Sequence, residues 1–281
     1  AFNGDVTGGL TFSANGTMKL YAGGTIIGTV DGGSENQGKL SFLGDSTVID
    51  TIGNSNALSL ITAAQSGTTS TFDSSVKSQT INVGSGLADF KGDVTGSVNI
   101  AAKNGTIKLY SGGTITGAVD NTSGTSDQGT LTLNGSATVT GAIGATKTLA
   151  SIGLINASNA AVTLSGNVST KAIALGTNAG SVTFAGTTNI NDAVNFTAAS
   201  QTLTFKGTTS LTNGINLKGY ASTITLDSTS ASKTFTGVVS TEGDNTGTLA
   251  IQGVNTFTVA SSVGASGNAL SAVTVAASTG A

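Results

Sequence analysis

The acidic side chains that recur at matching places in this sequence belong to three polar loops. They read DGGSENQG (Asp31–Gly38), DNTSGTSDQG (Asp120–Gly129) and STEGDNTG (Ser240–Gly247). Each loop carries two carboxylates: Asp31 and Glu35, Asp120 and Asp127, Glu242 and Asp244. Oxygen ligands on a flexible loop are what Ca²⁺ requires. The spacing is neither that of an EF-hand nor that of the nonapeptide Ca²⁺ rolls. An exposed acidic loop that simply keeps the chain soluble is the plainer reading, and Ca²⁺ is the only cofactor the residues suggest.

Other chemistry is limited by residue type. The chain has no His, no Cys and no Arg, and its 11 basic residues are all Lys. Ser-His and Cys-His nucleophile pairs therefore cannot form, and a Ser/Lys dyad is the only such arrangement left formally open. Glycoside hydrolysis needs two carboxylates facing one cleft. Asp5/Asp93 and Asp31/Asp120 recur as equivalents in separate repeats, which expects them apart, as turn caps. A formal charge of −3 with only 9% charged residues offers few donors for phosphate, so nucleic acid is not an expected partner. An enzyme is not expected.

The elements that carry these loops are legible in the apolar spacing. Val162/Leu164, Val182/Phe184, Leu203/Phe205 and Ile224/Leu226 return at intervals of 20 or 21 residues, and Ile173/Leu175, Val194/Phe196 and Ile215/Leu217 return at 21. Partners two apart face one side of a strand, and the fixed return stacks them on successive coils. The fold expected is all-β, a single parallel β-helix (β-solenoid) of about 21 residues per rung. Roughly 13 rungs at ~4.8 Å would give a body of about 60 Å. The absence of Pro suits strands hydrogen-bonded on both sides.

Residues 1–281 are expected as one continuous solenoid made of longer repeats. Residues 2–61 and 90–152 are two copies, 234–273 is a partial third, and 161–226 holds the most regular rungs. Most rungs end in an apolar pair, one residue and Gly, as at Phe42/Gly44, Phe90/Gly92, Leu164/Gly166, Phe184/Gly186 and Phe205/Gly207. Positive φ at that Gly is the expected reason. Asn-Gly steps at Asn15, Asn104, Asn134 and Asn213 make antiparallel hairpins the local alternative. In Lys19-Leu20-Tyr21 and Lys108-Leu109-Tyr110, Leu is expected inward with Lys and Tyr outward; a glycan- or lipid-binding Lys–Tyr patch is the sharper alternative.

No run of 18 apolar residues occurs, so no helical transmembrane segment is expected. The opening residues lack the basic, apolar and small succession of a signal peptide, and any leader is expected to have been removed.

Segments such as Asn36–Gly53 (NQGKLSFLGDSTVIDTIG), Asp127–Gly144 (DQGTLTLNGSATVTGAIG) and Ile155–Gly176 (INASNAAVTLSGNVSTKAIALG) resemble the passenger repeats of bacterial type V autotransporters. They are most similar to the rickettsial outer-membrane surface antigens of the B type. The resemblance implies a right-handed parallel β-helical passenger exported through a membrane barrel and displayed outside the bacterial cell. It implies adhesion or surface-layer formation, with a host-cell or cell-surface protein or glycan as partner. It carries over no functional residue. Self-association through the solenoid ends, giving a fibre or layer, is the second expectation, and a polysaccharide-acting β-helix enzyme is the third.

Overall fold

The computed structural model describes residues 1–21, 23–265 and 267–277. The protein is all-β, with one 3₁₀ turn at Gln65–Gly67 among the described residues. Its strands stack in parallel as a β-solenoid of about 13 turns, spaced about 21 residues apart. The chain divides into two compact units, Ala1–Thr132 with Thr138–Ala150, and Leu133–Ala137 with Ser151–Ala281.

In the second unit the first apolar column is a continuous ladder, and the second is one from Val194 onward, because the strand that holds Ile173 pairs through Val168, Ser169 and Thr170 with Thr188, Asn189 and Ile190 instead. Val162 pairs with Val182, then Leu203, Ile224 and Leu249; Leu164 pairs with Phe184, Phe205, Leu226 and Ile251. The other column runs Val194, Ile215, Val239. Phe184 and Phe205 stack with centroids 5.0 Å apart and planes 9° from parallel. In the first unit a ladder of the second long sheet runs Val48, Phe72, Phe90 and Leu109. Phe72 lies flat on Phe90 at 4.9 Å and meets Phe42 edge-on at 5.4 Å. These rings are buried, and each such burial is worth about 1.5–3 kcal/mol.

Every strand pair described is parallel, and the one antiparallel contact among the described residues is an isolated bridge, Ala265 to Asn268. The Asn-Gly steps thus turn corners instead of reversing the chain. Asn104 (φ +62°), Gly135 (φ +118°) and Gly214 (φ +73°) take left-handed or related backbone there. The coil length is less uniform than the apolar columns suggest. Phe72 and Phe90 are adjacent rungs only 18 residues apart, whereas Thr209 and Phe235 are 26 apart. Strand register is held by burial of one face, and the turns absorb the difference in length.

The glycine after the apolar pair has the expected reason at some rungs and a different one at others. Of the glycines that close apolar pairs, Gly135 and Gly253 take positive φ, but Gly92, Gly186 and Gly207 do not. A Cβ on Gly207 would lie 2.1 Å from the Gly186 carbonyl oxygen, and one on Gly186 would lie 2.5 Å from that of Gly166. Close approach of successive coils, not cornering, excludes side chains from this column.

Candidate functional site

The three acidic loops occupy corners of the coils, and their carboxylates bond to the coil that follows. Asp31 accepts the Ser55 N–H at 2.9 Å, and Glu35 Oε2 accepts that of Ala57 at 3.1 Å. In the second copy Asp120 accepts the Thr146 N–H through both oxygens at 3.1 Å, and Asp127 accepts the Thr148 hydroxyl. In the third copy Asp244 accepts the Ala269 N–H at 3.1 Å. Glu242 differs, accepting from Lys218 Nζ and, at 3.2 Å, from Asn216 Nδ2. The two candidates within each loop are therefore turned to separate partners. Among the described residues, no three acidic side chains converge as a metal site would require.

Backbone geometry explains why such different loops rejoin the same frame. Asn36, Asp127 and Asn245, each two residues before a glycine, have φ of 58°, 58° and 54°. Gly38, Gly129 and Gly247 are also at positive φ. Asn and Asp tolerate the left-handed region and glycine prefers it, so each loop ends in the same turn whatever its length.

The capping device extends beyond the loops, to Asp5 and Asp93, expected as turn caps from their recurrence, and to Asp45, Ser136 and Asn167, which the repeats did not single out. Asp5 accepts the Thr25 N–H at 2.9 Å, Asp45 that of Thr69 at 2.7 Å and Asp93 that of Thr114 at 2.8 Å. Ser136 and Asn167 do the same for Ala161 and Thr187, both at 3.0 Å. All five directly follow a glycine. The short polar residue after the glycine was the signal available in the sequence.

Charge effects on these groups are local. The Ala57 amide, then Lys77 at 3.2 Å, hold the Glu35 carboxyl below its ordinary range. Lys218, then Asn216, do the same for Glu242. The Ser-x-x-Lys spacing occurs at Ser74/Lys77 and Ser230/Lys233; Lys77 is engaged by Glu35 instead of a serine.

A second polar cluster lies on the outer side of the strands Thr69–Phe72, Leu87–Phe90 and Thr106–Tyr110. Asp89 is cross-strand from Thr71 and Lys108. It is only 9% exposed, and its Oδ1 has no hydrogen-bond partner. Burial pushes its pKa up, against the opposing pull of Lys108 and Lys91. Lys108 Nζ donates to the Tyr110 hydroxyl at 2.8 Å and sits 4.4 Å from that ring's centroid. Lys91 pairs with Asp73 at 2.6 Å. Leu20 and Leu109 are fully buried, as their place between Lys and Tyr suggests, and Tyr21 is exposed. The Lys108–Tyr110 pair satisfies itself.

Compared with family models, curated proteins and solved structures, the chain finds no match.

Proposed function

We propose that this chain is a non-enzymatic structural and adhesive segment displayed on the bacterial cell surface, in the manner of an autotransporter passenger. The observation that carries the reading is the use of the loop carboxylates. Five of the six acidic candidates bond to the following coil, and the sixth, Glu242, pairs with Lys218. Side chains that could do acid–base work are thereby committed to holding coils together. The absence of His, Cys and Arg supports the same reading, as does a solenoid built to present a long, regular outer face.

The test is to measure saturable binding of the purified chain to cultured animal cells, alongside electron micrographs of the chain at high concentration. Saturable binding or an ordered layer is the expected result. A chain that neither binds nor assembles, yet turns over a polyanionic glycan, would overturn the proposal.

A further inference from the structure

We propose that the second unit carries an ice-binding face, formed by the outer side of the strands Ala160–Leu164, Gly180–Phe184, Gln201–Phe205, Thr223–Asp227 and Thr248–Gly253. This goes beyond the surface role proposed above and does not rest on it. Core residues alternate along these strands with outward ones, and the outward ones form two columns in register. Thr163, Thr183, Thr204 and Thr225 make one column. Ser181, Thr202, Thr223 and Thr248 make the other. The columns contain no charge and no aromatic ring. Lys206 and Asp227, 3.9 Å apart, lie just beyond the first column.

The hydroxyls of this face are unspent. Among the described residues those of the two columns have no partner apart from Thr248, which meets Ser271 at 3.5 Å. Elsewhere in the same unit the equivalent groups are turned inward: Thr188 donates to the Gly186 carbonyl at 3.4 Å and Thr209 to that of Gly207 at 3.2 Å. The half-exposed array therefore has free donors and acceptors, and on its seven threonines these lie beside methyl groups on side chains whose χ1 is already restricted by β-branching.

Spacing selects the ligand. Neighbouring parallel strands lie about 4.8 Å apart, and residues two apart along a strand about 6.6 Å. Water joined tetrahedrally at an O···O distance of about 2.75 Å repeats at about 4.5 Å between second neighbours and at about 7.3 Å along the perpendicular stacking axis of ice. The mismatch is about 0.3 Å per rung, about 0.9 Å over the three steps of a column, and about 0.7 Å across the single column step, well under half of one water repeat throughout. A sugar chain would lack an aromatic platform on this face. A second copy of the chain would meet two columns of four short side chains here, far fewer than the roughly 20–30 residues per side of a stable interface.

The test uses the full chain in a slowly growing ice front, with thermal hysteresis measured in parallel. The wild type should be enriched in the ice and depress the freezing point below the melting point. Thr204→Lys, which sets a charge in the centre of the array, should lose at least about tenfold of the hysteresis. Ser210→Lys, on a different outward face, should retain it, with both variants melting as the wild type does. Exclusion of the wild type from ice, or equal activity of Thr204→Lys, would overturn the proposal. So would Thr204-dependent binding to insoluble cellulose or chitin without any ice activity, which would assign the face to a glycan.

Discussion

The Asp45 carboxylate accepts the backbone N–H of Thr69, 24 residues later and one coil on, at 2.7 Å. The same relationship joins Asp5 to Thr25 and Asp93 to Thr114. A turn leaves some backbone donors without ladder partners, and a short acceptor placed after the glycine supplies one. Asp45→Ala should therefore destabilise the fold by about 1 kcal/mol, and Asp45→Asn by less, because the amide oxygen still accepts. The shift in denaturant midpoint measures both; equal losses in the two variants would contradict the hydrogen-bond account.

Stacking of the coils at Gly207 leads to a separate prediction. Its ideal Cβ position is 2.1 Å from the Gly186 oxygen, whereas Gly16 has nothing within 4 Å. Gly207→Ala should cost about 2 kcal/mol or more, because the neighbouring coil must shift to relieve the overlap. Gly16→Ala should be nearly neutral, as thermal melting of the two variants would establish.

Asp89 gives a pH dependence of the opposite sense from the usual carboxylate. Its folded pKa is raised, so its contribution favours the fold below the unfolded value and is lost as pH rises through the folded value. Replacing it with Thr, the residue beside it at Thr71, removes the buried charge and extends a β-branched ladder. Asp89→Thr should raise stability by about 1 kcal/mol at pH 7. The gain should shrink in acid, where Asp89 itself is protonated. Melting curves across pH would expose the error if the variant were less stable at neutral pH.

Glu35 and Glu242 act in the ordinary direction. Both folded pKa values are lowered, so the stability they contribute is present above the unfolded carboxylate range and is lost as pH falls through the folded value. Glu35→Gln and Glu242→Gln should flatten the acid limb of the stability profile while changing little at neutral pH and high salt, since both pairs are exposed. With the loop carboxylates already partnered, addition of Ca²⁺ or of a chelator should leave the melting temperature unchanged. A rise with Ca²⁺ would show that the loops exchange their protein partners for the ion.

The regular rungs were legible because burial of one face fixes a period of two along each strand and a return of about 21 between coils. Val182, Leu203 and Ile224 follow that pattern in the structure. The coil containing Phe72 was not legible. Its neighbours lie 24 residues before and 18 after, because corners vary in length while ladders stay in register. The acidic loops stood out by composition, but the partners of Asp31 and Asp120 lie 24 and 26 residues away, a distance that only the coil geometry closes. Asp89 was hidden for a related reason. Nothing in its own segment, Leu87–Phe90, tells that the neighbouring strands cover it.

The most direct test of the account is amide hydrogen exchange at Thr25, Ser55, Thr69, Thr114, Thr146 and Ala269, the residues of the following coil whose N–H groups aspartates cap. The account predicts protection at all six in the wild-type protein, with Asp45→Ala accelerating exchange at Thr69 while Thr25 and Thr114 stay protected. Exchange at the rate of an open loop at these positions in the wild type would contradict it, because the acidic side chains would then be free of the fold and available for other work.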